Sequence, residues 1–257
     1  MAKFVSYNVN GIRAALKKDW MDWLKSVDPD VVCVQETKAQ KDQLDVAIFE
    51  EAGYKSYWHS AEKKGYSGVA IFSKTEPDHV EYGCGIERYD AEGRVLRADY
   101  GDFSVLSCYF PSGTTGDERQ AFKMEFLADF IKYANELKKE RPKLLISGDV
   151  NICHTAIDIH NPDRNKDTSG FKPEEREWVT EFLDTGFIDT FRHLNKEPHN
   201  YTWWSYRAGA RKKNLGWRID YHFVTDNLGE KLNRSVILSE AVHSDHCPIL
   251  LDLDVKL

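Results

Sequence analysis

The chain has no excess of positive charge: its 257 residues carry 35 Lys and Arg against 42 Asp and Glu, a formal net charge of −7. A nucleic-acid-binding domain usually shows a basic footprint, so bulk charge argues against such a partner unless local clusters outweigh it. No apolar run approaches the roughly 20 residues that a membrane span requires. The opening "MAKFVSYNVNG" runs straight into an alternating strand pattern, without the charged start and long apolar core of a signal peptide. Cysteine is sparse and odd in number (Cys33, Cys84, Cys108, Cys153, Cys247), has no CxxC spacing and falls mostly in apolar runs. That pattern favours buried free thiols over disulfides, and the absence of a His/Cys cluster at zinc spacing excludes soft-ligand zinc chemistry. The expectation is a cytoplasmic protein with free thiols and no membrane contact.

What is present is a hydrophobic content of 41%, enough for a substantial core. No low-complexity linker or repeat interrupts the chain, so residues 1–257 read as one domain. Strand patterns fall at "KFVSYN", "VVCVQE", "GVAIFS", "RVLRADY", "FSVLSCYF", "KLLISGDVN", "RIDYHFVT" and "CPILLDLDV". Helical spacing links Leu16, Trp20, Trp23, Leu24 and Val27, then Phe122, Phe126, Phe130, Ala134 and Leu137, then Trp178, Val179, Phe182 and Leu183, with Pro173 suited to a first helical turn. Strands mixed with helices imply an α/β layered sandwich. The polar connection "NICHTAIDIHNPDRNKDTSGF" is of a length more often functional than idle.

Polar residues of one chemical kind recur where the apolar runs stop: Asn8 and Asn10, Glu36, Asp149 and Asn151, Asp220, then Asp245 and His246. Singly, each has an ordinary reading as a turn residue, a cap or a satisfied core histidine. Asp149 and Asn151 are two apart, so on an extended strand both point to one side and could hold a hard cation and a water. Glu36 offers a further oxygen ligand of the kind Mg²⁺ takes. Asp220 is isolated in the apolar run "GWRIDYHFV", where a buried carboxylate is costly without a partner. His246 is a candidate, either as a structural ion pair or as an imidazole whose tautomer Asp220 fixes.

In this order the stretches "SYNVNGIRA", "VQETK", "GYSGVAIFSK", "CYFPSG", "GDVN", "SGFKPEEREW", "YTWWSYR", "GWRIDY" and "SDHCPI" closely resemble the exonuclease III type of apurinic/apyrimidinic (AP) endonuclease, within the endonuclease/exonuclease/phosphatase superfamily. The match runs from residue 5 to residue 250, and the ordered set is far more specific than any one piece. The resemblance implies an α/β four-layer sandwich of two packed mixed β-sheets flanked by helices, of the DNase I-like kind. It implies Glu36 as the principal Mg²⁺ ligand, with Mn²⁺ able to substitute, and Asn8 close by. It implies Asp149, helped by Asn151, as the group that orients and deprotonates the attacking water, and Tyr109 and His246 as donors to the scissile phosphate. Asp220 would orient His246, and Asp245 would be a further ligand or a carboxylate behind the ligands. The site so implied takes one or two metal ions, with Asp149, Asn151, Asp245 and His246 around Glu36 and Asn8.

Superfamily members act on different phosphoesters, so the metal site alone does not name the substrate. Trp203, Trp217 and Ile219 match positions that, in AP endonucleases, wall a small apolar pocket for a flipped sugar without its base; Trp204 reads as core. Such a pocket selects by size, because an abasic sugar is cheap to extrude and an intact nucleotide does not fit. Basic residues stand beside the motifs: Arg13, Lys17 and Lys18, Lys38 after Glu36, and Arg207, Arg211, Lys212 and Lys213 in "YRAGARKK". They could follow a phosphate backbone, or be an ordinary solvated face. Two positions depart from some family members. Asn10 stands where the mammalian type has aspartate, and "PSGTTG" lacks an arginine that some relatives wedge into DNA, which Arg207 could replace.

The expected function is therefore Mg²⁺-dependent hydrolysis of the phosphodiester 5′ to an abasic site in duplex DNA, with 3′-to-5′ exonuclease and 3′-end-cleaning activity, by a monomer acting on abasic or 3′-blocked double-stranded DNA. A DNA-binding protein that had lost turnover would be expected to lack Glu36, Asp149 or His246, and all three are present. A small-molecule phosphoesterase would have no use for the tryptophan pair.

Overall fold

The computed structural model describes residues 1–257. Twelve strands form two six-stranded sheets. In chain order they are β1 (Ala2–Asn8), β2 (Val31–Gln35), β3 (Lys55–His59), β4 (Val69–Ser73), β5 (His79–Tyr82), β6 (Val95–Tyr100), β7 (Phe103–Tyr109), β8 (Lys143–Asp149), β9 (Phe187–Asp189), β10 (Asp220–Thr225), β11 (Leu232–Ile237) and β12 (Ile249–Leu253). One sheet runs β11-β12-β1-β2-β4-β3 and the other β5-β6-β7-β8-β10-β9.

Each sheet is mixed in the same way, with one parallel pair at its centre, β1 with β2 and β7 with β8, and antiparallel neighbours outside. The central strands are buried on both faces, which is why they read as nearly continuous apolar runs. In β2, Val31 and Cys33 face the other sheet, in a core shared with Phe4, Ile71, Val105 and Leu145. Val32 and Val34 face outward against Trp20, Leu24 and Phe49. The second sheet does the same, with Leu144 and Ile146 packed against Phe126 and Phe130 of the helix Asp117–Glu140 and Trp178 and Phe182 of the helix Pro173–Asp184. Helix, sheet, sheet and helix thus make four layers. No helix is long and apolar enough to cross a membrane.

The strand patterns read from sequence correspond to the eight inner strands. The four without such a pattern, β3, β5, β9 and β11, are the four sheet edges. An edge strand has one pairing partner and less cover, so its apolar signal is weak; β5, for example, is largely exposed. The helical run from Leu16 to Val27 is a correction in detail: Asp19 adopts the left-handed region (φ 60°) and divides it into the helices Ile12–Leu16 and Trp20–Val27. Pro173 does open its helix.

Candidate active site

The topology brings the C-terminal ends of the parallel pairs to one rim. Strand register places Asn8 beside Gln35 in one sheet and Tyr109 beside Asp149 in the other. Strand β10 enters antiparallel from the same rim, and its first residue, Asp220, lies opposite Asp149. The loop before β12 delivers Asp245 and His246 to the same place. In the "GDVN" stretch, glycine is required by close approach: a Cβ at Gly148 would lie 1.8 Å from the Cys108 carbonyl oxygen.

Glu36, Asp149 and His246 each present a ligand atom, all within 4.8 Å of one another. Asn8 joins the carboxylates as a donor, its amide nitrogen 2.9 Å from Glu36 Oε1 and 2.8 Å from Asp149 Oδ2, while its oxygen accepts from the Asn10 N–H. The His246 Nδ1–H donates to Asp220 Oδ2 at 2.9 Å, and Nε2 faces Asp149 Oδ2 at 3.8 Å. Asp245 lies outside this trio. Its carboxylate accepts from the Trp203 indole N–H at 3.0 Å and the Asn10 amide at 2.9 Å, so it fixes one wall of the site.

Asp149 and Asn151 meet by a different geometry from the one expected. Strand β8 ends at Asp149, and Asn151 is in the left-handed region (φ 57°), so the two do not share the face of an extended strand. The turn instead folds Asn151 back, its backbone N–H donating to Asp149 Oδ1 at 2.8 Å and its side-chain amide to Phe110 O at 3.0 Å. Glu36, Lys38 and Asn10 also have positive φ, at 51°, 48° and 47°. For a glutamate or lysine this conformation costs on the order of 1 kcal/mol, and such strain gathers at functional sites.

The electrostatics follow from crowding. Burial, then the neighbouring Asp220 and Glu36 carboxylates, push the Asp149 carboxyl up to about 8. Burial alone would lower His246, but Asp220, Asp149 and Asp245 outweigh it and raise the imidazole to about 10. Burial and the carboxylates of Glu36 and Asp149 hold the Tyr109 phenol well above its ordinary value, so it stays a neutral donor. Asp220 Oδ1 is buried with no hydrogen-bond partner. A cluster this rich in buried carboxylate oxygen matches a hard divalent cation, which takes carboxylates and leaves room for water and phosphate.

A cavity of about 390 Å³ opens on this cluster, lined by Glu36, Tyr109, Asp149, Asn151, Asp245 and His246 together with Trp203, Trp217 and Ile219. The two indoles stand edge to face, 6.0 Å between centroids, and Trp217 forms bridges with Trp203 and Ile159. Thr168, Ser169 and Gly170, from the long polar connection, complete the wall. A larger cavity of about 590 Å³ lies around Trp204, Arg211 and Lys212; Glu240 is its one carboxylate, whereas the smaller cavity carries the Glu36, Asp149 and His246 trio.

The basic residues divide. Lys38 pairs with Glu36 at 2.7 Å and donates to Asn10. Arg13 and Arg207 are exposed outside the cavity. Arg211 is turned inward: its guanidinium donates to the carbonyls of Ser239, Ala241 and Ser244 and lies over the Trp204 ring. It holds the loop that leads to His246, so its donors are not offered to a phosphate backbone. Trp204 is core, as its apolar neighbours Tyr201, Ala210 and Cys247 require. Sequence reasoning also passed over Arg94, whose guanidinium donates to the Tyr109 carbonyl at 2.9 Å and lies against the Tyr109 ring. Nothing in "EGRVLRADY" distinguishes it from a solvated arginine.

Residues 5–246 match the model of the Endonuclease/Exonuclease/phosphatase family. The chain is 43% identical to an exodeoxyribonuclease of Bacillus subtilis (strain 168), over 98% of this chain and 100% of that one. Its fold is similar to that of an AP endonuclease from Archaeoglobus fulgidus, with a TM-score of 0.91 and 32% identity over 99% of this chain and 100% of the other. It is also similar to the 3′ phosphatase NExo from Neisseria bound to a product DNA hairpin, with a TM-score of 0.93 and 26% identity over 99% and 100%. The chain belongs to the endonuclease/exonuclease/phosphatase family, on its exonuclease III-type AP endonuclease branch.

Proposed function

We propose that this chain is a DNA repair nuclease that hydrolyses the phosphodiester 5′ to an abasic site in duplex DNA, with Mg²⁺ as its metal and Mn²⁺ able to replace it. One observation carries this reading: the carboxylate cluster and the tryptophan pair line one cavity. A sugar lacking its base fits such a recess and is cheap to flip, whereas an intact nucleotide would have to bring its base in as well.

Glu36 and Asp149 would hold the cation, within the setting of Asn8, Asn151 and Asp245. When bound, it supplies Lewis-acid stabilisation to the charge that builds on the phosphate oxygens. Asp149, kept ionised when a divalent cation sits beside it, takes the proton from the attacking water. Asn151, whose amide nitrogen is engaged by Phe110 O, has its amide oxygen left to orient that water. His246, kept protonated by Asp220, and the neutral Tyr109 donate to the phosphate as charge develops. Trp203, Trp217 and Ile219 wall the sugar, while Lys38, Arg13 and Arg207 meet the strand outside. The same attack on a terminal phosphoester gives 3′-to-5′ exonuclease and 3′-end-cleaning activity. All five cysteines are free, which agrees with a reducing cytoplasm, and the site is complete within one chain, which agrees with a monomer.

The test is nicking of a duplex with one stable abasic analogue beside the undamaged duplex, with Mg²⁺ and with excess EDTA. Mg²⁺-dependent incision 5′ to the lesion alone is expected; equal cutting of both duplexes would remove the pocket from the mechanism, and no cutting would remove the activity.

A further inference from the structure

Lys123, on the helix Asp117–Glu140, and Glu175, on the helix Pro173–Asp184, have no exposed surface, and Lys123 Nζ lies 2.7 Å from Glu175 Oε1. Burying two charges costs several kcal/mol per ion, and a well-packed apolar pair would join two helices at least as well. What distinguishes this pair is what else it holds. Lys123 Nζ also donates to the backbone carbonyl of Asn151 at 2.8 Å, directly behind the turn that carries Asp149 and Asn151. Glu175 Oε2 accepts the Gly170 N–H at 2.6 Å and the Lys172 N–H at 3.0 Å.

Gly170 is where the two structures touch. A Cβ there would lie 3.0 Å from Asn151 O and 3.0 Å from the Trp217 ring, and at its φ of +96° any other residue is strained. Its carbonyl accepts the Cys153 N–H at 2.8 Å. One ion pair therefore holds the Asn151 turn through its cation and the pocket wall through its anion.

We propose that Lys123 and Glu175 are positioning residues that lock the Asp149–Asn151 turn and the wall segment Thr168–Gly170 into one unit, so that the fit of the cavity to its sugar and the aim of Asp149 and Asn151 are set together. The substrate named in this inference rests on the proposed function; the coupling rests on the contacts alone. Neither side chain lines the cavity, so the pair acts through the backbone it holds.

The experiment compares wild type with Lys123→Met and the double variant Lys123→Met/Glu175→Gln. The single change leaves a buried carboxylate without its cation and is expected to lower the melting temperature. The double variant leaves no buried charge and should melt close to wild type. Its kcat on the abasic duplex should nevertheless stay on the order of ten- to a hundredfold down, as expected for a misaimed site, with KM changed little and the preference for abasic over intact DNA reduced. In parallel, the Cys153 amide, which joins the Asn151 turn to Gly170, should exchange hydrogen faster in the double variant, while the core of β8 does not. Recovery of both melting temperature and kcat would make the pair merely structural and overturn the inference. So would unchanged exchange at the Cys153 amide, or a double variant that fails to fold. If the wild type incises no abasic duplex, the functional reading falls by itself and the exchange measurement alone decides the coupling.

Discussion

Asp220 Oδ2 stands 2.9 Å from His246 Nδ1, and the antiparallel register of β8 and β10 sets the same aspartate opposite Asp149. One carboxylate therefore acts on both groups: it is a large part of why His246 keeps its proton and of why Asp149 holds one so tightly.

Asp220→Asn should return the His246 imidazole toward the ordinary histidine range, because the charge that sustains the imidazolium is gone while shape is kept. Turnover should fall by about a hundredfold or more, most steeply at alkaline pH. NMR titration of the His246 ring, alongside the pH–rate profile, checks this; a ring that still titrates near its wild-type value would remove Asp220 from that role.

Trp217→Ala should act on selection more than on chemistry. The ring walls the cavity beside Trp203 and Ile159, so the ratio of kcat/KM for abasic over intact duplex should drop, by roughly tenfold or more for a lost apolar wall. An unchanged ratio would make Trp217 a packing residue only.

Arg211→Lys separates two uses of one charge. A lysine keeps the charge but cannot span three carbonyls as the guanidinium does. Turnover should fall on the order of tenfold through the loosened His246 loop. Arg211→Met should leave the salt dependence of DNA binding unchanged, whereas a lost phosphate contact would reduce the slope by about one.

The metal-free protein should lose stability as pH rises. The Asp149 carboxyl is raised from the ordinary carboxylate range to about 8, so its contribution is complete below that ordinary range and is lost as pH climbs through about 8. His246, raised to about 10, contributes fully below the ordinary histidine value and loses that contribution through about 10, so both act in the same direction. A divalent cation favours the ionised carboxylate, so Mg²⁺ should raise the melting temperature more at pH 8.5 than at pH 5, as seen by thermal denaturation. Equal gains at the two pH values would place the cation away from Asp149.

The sequence by itself determined the inner strands, the two long helices and the residue types of the site, because double-sided burial and helical spacing leave continuous patterns and because "VQETK", "GDVN", "GWRIDY" and "SDHCPI" place carboxylates at strand ends. Trp204 as core and Asp220 as the partner of His246 were legible in the same way. Tertiary structure decided what no local pattern encodes. Edge strands lack the second neighbour that makes a strand apolar, so β3, β5, β9 and β11 emerge only on assembly. Asn151 reaches Asp149 through a left-handed turn and not along a strand. Arg94, Lys123 and Glu175 read as ordinary charges, and Arg211 as a candidate for the phosphate backbone, until partners distant in sequence fix where each one points. A charged side chain's role is set by the partners within a few ångströms of it, and the fold alone brings those partners there.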